Sequence, residues 1–519
     1  METVAQGPEL RLADLLIGLS SVTDLGMGQP VGEAARATLL AVRLAAAANL
    51  SDSDISDVFF TSLLRHIGCT AYSHESAAFF ADEQSVKQAT QRTDFTRPTD
   101  IFLGYLPRIT RAAPRGAKLH TLRSALVNSK AVTEGYTTGA CEVGSSMAQR
   151  LGLPPGVRTG LLHVFEWWNG KGSPRGVAGD DLSRAIRLAT VAGLAVLFHR
   201  LGGVEGATTA IRQRSGSYLD PAFAELFCEH APELLRELDE SDTAESLRAA
   251  EPQPITVPAW RTDEVLEAFG DVVDLKAPLF HGHARAVSSL AEGAAERLGL
   301  PAGAGVDLRR AGLVCDLGRA AIPNGVWERA VGFDDNDWSQ VRLHPYHSEQ
   351  VLLRCRTLSQ LAPIAGAHHE RLDGSGYYRR AAAATLNVSS RILATADKYA
   401  TMIEPRPHRP QLVPEQAAEE LRGMARQGLF DIDVVDAVLT VAGHPGSHGR
   451  RAAPAGLSER QVEVLRLLAE GRSNKEIAST LQISIRTAEH HVQDIYAKLG
   501  ISSRAPAALF AMEHGLVGP

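Results

Sequence analysis

The segment LVCDLGRAAIP, Leu313–Pro323, decides how the chain is read. An apolar run stops at a Cys-Asp pair, a Gly follows, and a Pro ends the segment, the pattern of a helix that carries a metal-binding pair into a turn. Cys315 is then a ligand, a spoiled ligand or a core cysteine. The surroundings supply the context: His283 upstream, HPYH from His344, HHERLDGSGYY from His368, and Asp397 on the helical run that begins at Arg391. Imidazoles and carboxylates on separate helices suit Fe, Mn or Zn, and together can build a metal centre in a helical core.

The same segment also points to a duplication. LVCDLGRAAIP falls without a gap on LLRHIGCTAYS from Leu63, with Gly318 over Gly68. ERLDGSGYYRRAAAATLNVSSRILATAD from Glu370 falls likewise on EWWNGKGSPRGVAGDDLSRAIRLATVAG from Glu166. Two matches in the same order predict two copies of one helical domain. Apolar residues recur at helical spacing and sustained strand alternation is rare, so the fold is expected to be all-α.

At 519 residues, 44% hydrophobic and 22% charged, the chain is too long for one core and has the composition of a globular protein. Two Pro-, Gly- and charge-rich stretches, Asp239–Pro258 and Gly443–Gly456, predict linkers between segments 1–240, 259–442 and 457–519. There is no run of about 18 apolar residues to span a bilayer, and the N-terminus lacks a secretion pattern, so a cytoplasmic protein without a membrane partner is expected. The five cysteines are far apart and read as reduced thiols. A net charge of −7 offers no global attraction to nucleic acid, which confines any such binding to a local surface.

Residues 457–519 hold the most specific motif. Helical stretches are punctuated by Gly471, by Gln482-Ile483-Ser484 and by Gly500, with Ser484 placed to cap the next helix. This segment closely resembles the LuxR/NarL-type DNA-binding domain through Leu457, Arg460, Glu463, Val464, Leu465, Gly471, Ser473, Asn474, Lys475, Glu476, Ile477, Ala478, Leu481, Ser484, Thr487, Glu489, His491, Val492, Lys498, Leu499 and Arg504. Ala488 departs from the usual Val. The resemblance implies a four-helix domain whose recognition helix, about Arg486 to Leu499, enters the major groove of double-stranded DNA. Arg486, Thr487, His490 and Gln493 are expected at or near base edges, and Lys475 and Lys498 at phosphates. A homodimer is implied by the same family. Leu465, Leu468, Ile477, Leu481, Val492 and Ile495 read as core.

Residues of about 270–410 resemble the HD-GYP branch of the HD phosphohydrolase superfamily, whose metals open the phosphodiester of cyclic di-guanylate. Carried over by position, His283, Asp316, His344, His368, His369 and Asp397 match metal ligands, and Cys315 stands where the first pair member should be His. Arg319 replaces the lysine expected to bind substrate phosphate, and Tyr378 replaces the proline of the Gly-Tyr-Pro signature. The turn at Asp373 is expected to bring Arg379 and Arg380 to the mouth of the site, with Arg319, Asp373 and Arg379 as phosphate candidates. The resemblance admits a metal-bearing altered site, an inert pocket with Cys315 in the core, or an active hydrolase. No catalytic residue is assigned.

The first copy reads as emptied of metal. Glu33 lies near the first-helix position, Arg65 and His66 replace the pair, Ala140 stands at another His position, Val164 and Phe165 replace the adjacent histidines, and Gly193 replaces the late Asp. His163 and His199 read as structural. Residues from Glu83 to Leu122 have no counterpart in the second copy, and Phe102 and Tyr105 there are candidates for a partner contact.

The expected protein is a DNA-binding transcription regulator. Tandem HD-GYP-like domains, the first without metal and the second with a partial ligand set, would control the C-terminal domain in response to a nucleotide or small-molecule effector. The alternatives are a metal-dependent phosphohydrolase or cyclic-dinucleotide phosphodiesterase with a DNA-binding appendage, and a structural pair of helical domains.

Overall fold

A computed structural model describes residues 10–70, 72–80, 82–112, 118, 129–443, 455, 457–514 and 516–517. The all-α expectation holds. The only sheet among the described residues is an antiparallel ribbon that pairs Leu10 with Val257 and Arg11 with Thr256. The chain forms two compact units, 1–262 and 263–519.

That ribbon corrects the first expected linker. Asp242 caps a helix, Thr243–Ala250, through the backbone N–H groups of Ala244 and Glu245. On that helix Arg248 Nε lies 2.6 Å from Asp14 Oδ1, and beyond it Arg11 Nε donates to Glu251 Oε2 at 3.1 Å. Residues 239–258 therefore fold back on the start of the chain, with Asp239, Arg248 and Glu251 paired to Arg36, Asp14 and Arg11 more than two hundred residues away. The second expected linker lies outside the described residues apart from Gly443 and Ala455.

Local geometry repeats between the units as the alignment requires. The helices Glu33–Ala47 and His283–Arg297 both follow a glycine at positive φ, Gly32 at 97° and Gly282 at 84°, a backbone that L side chains resist. Asp24 accepts hydrogen bonds from the N–H groups of Gly32 and Ala34 at 2.8 and 2.9 Å, and Asp274 accepts from that of Ala284 at 3.0 Å. Burial pushes both carboxyls up to about 8. Glu166 holds the N–H groups of Arg175 and Val177 at 2.7 and 3.1 Å, and Glu370 holds those of Arg379 and Ala381 at 2.7 and 2.9 Å. One conserved geometry thus ties the Gly-x-Gly turn in each unit.

The helix Arg184–Arg214 is long and apolar enough by composition to cross a membrane, which the sequence reading did not register; more than half of its apolar window is buried within its unit. Its regular geometry breaks at Gly202 and Gly203. In the segment without a counterpart, Phe102 is 61% exposed, whereas Tyr105 packs on Phe95 at 5.2 Å and against the Phe80, Ala89 and Ile109 cluster. Residues 113–117 and 119–128 of that region lie outside the described set.

The pair turn depends on close approach. A Cβ on Gly318 would lie 2.0 Å from the carbonyl oxygen of His344, and one on Gly68 would lie 1.9 Å from that of Ala140. Backbone must move to admit a methyl there, so Gly318→Ala and Gly68→Ala are each expected to destabilise their unit by about 1–3 kcal/mol. Thermal unfolding checks this, and an unchanged midpoint for either variant contradicts the packing described.

Candidate functional site

Five elements of the second unit converge. His283 opens the helix His283–Arg297, Cys315 and Asp316 leave the helix Ala302–Val314, and His344 opens His344–Leu353. His368 and His369 follow the short helix Ala362–Ala365, and Asp397 projects from Val388–Ile403. All are buried except the half-buried His369. Their donor atoms fall into two groups, His344 with His368 and His369, and His283 with Asp316 and Asp397, each gathered within 4.8 Å.

Hydrogen bonds fix which imidazole nitrogens face inward. His344 Nδ1 lies 2.7 Å from the Val341 carbonyl oxygen, and His368 Nδ1 lies 2.6 Å from that of Ala365. A carbonyl only accepts, so both Nδ1 atoms carry protons and both Nε2 atoms turn toward each other, 3.0 Å apart. Asp316 Oδ1 lies 3.4 Å from each of them and 2.8 Å from Arg319 Nε. Burial drives the His344 pKa down to about 4. Burial also opposes charge on His368, but its hydrogen bond to Asp316 and the charges of Asp316 and Asp397 raise it above the ordinary imidazole value. A proton or a cation must therefore lie among these three atoms. The donor set suits a divalent transition metal.

His369 Nδ1 sits 3.2 Å from Asp397 Oδ2, and burial keeps its pKa well below the ordinary value, so its ring is neutral. In the other group, His283 Nε2 is 3.1 Å from both Asp316 Oδ2 and Asp397 Oδ1. Its Nδ1 is 2.7 Å from Glu404 Oε1. Burial opposes charge on His283, yet Glu404 and the two aspartates raise its pKa well above the ordinary value. Sequence reasoning missed Glu404, although it follows Asp397 by seven residues, nearly two helical turns, and so shares its face.

Four expectations are corrected. Cys315 belongs to neither donor group: its Sγ donates to the Gly312 carbonyl at 3.4 Å, and burial beside Asp316 pushes the thiol pKa well above its usual range. Arg319 is 3% exposed and turns inward, with Nε 2.8 Å from Asp316 Oδ1 and a terminal nitrogen 3.2 Å from His283 Nε2. Arg379 pairs with Glu349 and donates from Nε to the Tyr378 hydroxyl at 2.9 Å, so its charge is already matched. Asp373 is exposed and accepts from the Ser375 N–H at 2.9 Å, closing its own turn.

The first unit fills the equivalent place differently. Arg65 donates to the Ala189 carbonyl at 2.8 Å and to His66 Nε2 at 3.1 Å. His163 Nδ1 accepts from the Ser183 N–H at 3.1 Å, and His199 Nε2 lies 2.9 Å from Asp239 Oδ2, so each has a local structural bond.

In the C-terminal segment, Ser458, Ser473 and Ser484 cap the helices Glu459–Ala469, Asn474–Thr480 and Ile485–Leu499, and Arg504–Glu513 completes four. Leu465, Leu468, Ile477, Val492 and Ile495 are buried as expected, and Leu481 is half-buried. Lys475, Arg486, Thr487, His490, Gln493 and Lys498 are all exposed. Thr487 Oγ1 bonds Ser484 Oγ at 2.7 Å, and His490 Nδ1 lies 3.0 Å from Asp494 Oδ2. Lys498 Nζ donates to Gln461 Oε1 at 2.8 Å, which ties it to the first helix of the domain.

Residues 267–434 match the HD domain family, and residues 455–511 match the luxR family of bacterial regulatory proteins. The chain joins an HD domain to a LuxR-type DNA-binding domain. A 3'3'-cGAMP-specific phosphodiesterase of Vibrio cholerae is 27% identical over 404 residues, 77% of this chain and 87% of that protein. A cyclic di-GMP phosphodiesterase of Pseudomonas aeruginosa is 32% identical over 163 residues, 31% of this chain and 39% of that protein. The response regulator VraR of Staphylococcus aureus is 44% identical over 61 residues, 12% of this chain and 29% of that protein. The crystal structure of a cyclic GMP-AMP-specific phosphodiesterase from V. cholerae shares the fold across both helical units, with a TM-score of 0.59 at 22% identity over 84% of this chain and 99% of that one.

The base-edge role expected of Arg486 and the phosphate role expected of Lys498 differ in their consequences. Arg486→Ala is expected to weaken binding unequally across operator variants, by about 1–3 kcal/mol at the base it reads, whereas Lys498→Ala weakens all of them alike. Anisotropy titrations on a panel of point-altered duplexes measure this, and equal losses for both variants on every duplex contradict the assignment.

Proposed function

We propose that the protein is a DNA-binding regulator whose second HD domain is a metal-bearing receptor for a cyclic dinucleotide, and whose occupancy changes the affinity of the LuxR-type domain for DNA. The first HD domain serves as a metal-free scaffold or interaction surface. The observation that carries the reading is the convergence of His344 Nε2, His368 Nε2 and Asp316 Oδ1, in a chain that also bears a capped and exposed helix at the expected recognition position.

His344, His368, His369 and Asp316 would hold a divalent ion, with Asp397 orienting His369. The ion would supply Lewis acidity and positive charge toward a phosphodiester. The backbone carbonyls of Val341 and Ala365 hold the two Nδ1 protons and aim both Nε2 atoms inward, and burial keeps bulk water from competing. Control of DNA binding requires that the nucleotide prefer one of two arrangements of the chain.

The test is DNA affinity of the full chain, loaded with Mn(II), with and without 3'3'-cGAMP. A change of about fivefold or more is expected, and Asp316→Ala should abolish the response without altering basal affinity. Calorimetric proof of bound nucleotide with unchanged DNA affinity would end the regulatory reading. A second reading, a phosphodiesterase with a DNA-binding appendage, is favoured by the retention of all six His and Asp donors. Turnover of 3'3'-cGAMP that Asp316→Ala eliminates would support it.

A further inference from the structure

We infer that Arg319 is a built-in cation occupying the His283, Asp316 and Asp397 group, so that the second HD domain takes one divalent ion, at His344, His368, His369 and Asp316, rather than two. The inference rests on the metal-bearing reading above and deepens it.

The geometry is specific. A terminal nitrogen of Arg319 lies 3.2 Å from His283 Nε2, so the guanidinium covers the histidine of that group, while its Nε lies 2.8 Å from Asp316 Oδ1. An ion bound by these atoms must approach within about 2.0–2.2 Å of each, which overlaps the guanidinium and sets a divalent charge against its positive one. The side chain is also held in place: its Cζ sits 4.4 Å from the centre of the Phe280 ring. Arg406 flanks the same ring and pairs with Glu404 Oε2 at 2.8 Å, so the carboxylate behind His283 is matched as well.

Two further observations agree. Cys315, which stands in place of a donor beside this group, gives its Sγ to the Gly312 carbonyl. In the first unit an arginine from the same turn does the equivalent job. A Cβ on Gly193, the position aligned with Asp397, would lie 2.3 Å from a terminal nitrogen of Arg65. There the carboxylate has been removed and the guanidinium fills its place. The second unit has the arginine with the carboxylates kept.

The other group is left open. The Nε–H of Arg319 does not point at Asp316 Oδ1, since both atoms lack a hydrogen-bond partner among the described residues. An ion there draws on the three imidazoles of His344, His368 and His369.

The experiment loads the full chain with Mn(II), removes excess, and measures metal per chain by elemental mass spectrometry together with the electron paramagnetic resonance spectrum. The unaltered protein should hold one ion per chain with the six-line spectrum of an isolated Mn(II). Arg319→Met should raise the content toward two and produce an exchange-coupled spectrum, with the uncharged Arg319→Gln as the replacement should the first variant not fold. Two coupled ions in the unaltered protein, or a folded Arg319 variant that stays at one, would overturn the inference while leaving the metal-bearing reading intact. No metal in any form would overturn both.

Discussion

Two imidazole nitrogens facing each other at 3.0 Å beside a buried carboxylate set the terms for the second unit. Each is committed to that role by a backbone carbonyl on the far side of its ring, and each is buried. Left alone, two lone pairs so close repel, and the nearby Asp316 oxygen adds to the negative potential. The helices that bring them there are fixed by close contacts such as Gly318 against the His344 backbone, so the residues cannot relax apart without losing packing. A cation resolves the conflict, which is why the same scaffold can host a metal in one unit and an arginine in the other.

The comparison of the two units shows how a site of this kind is dismantled. The elements that shape it persist in both, from the aspartate holding the glycine turn to the glutamate tying the Gly-x-Gly loop. The charged contents change. Val164 and Phe165 stand where His368 and His369 do, and Arg65 and Gly193 stand where Cys315 and Asp397 do. The fold needs the turns and the apolar stripes; it does not need the donors.

Much of this was legible in the sequence because residue type and order carry it. The LuxR-type domain could be read almost completely, since Ser458 with Gln461 and Ser473 with Glu476 announce helix starts locally. The donor residues were legible as a set because six separated His and Asp residues follow one pattern. Direction was not legible. Nothing in the sequence says that Cys315 turns to Gly312, that Arg319 turns inward, or that Arg379 meets Glu349, because each depends on what the fold brings opposite. Residues 239–258 misled for the same reason: Pro and charge resemble a linker until Arg248 meets Asp14.

The most direct test of the account is X-ray absorption at the metal edge of the loaded full chain. Only nitrogen and oxygen scatterers at about 2.0–2.2 Å are predicted, because on the proposed reading the ion would sit among His344, His368, His369 and Asp316 and away from the cysteine. A sulfur scatterer at about 2.3 Å would place Cys315 in the coordination shell and contradict the arrangement on which this account rests.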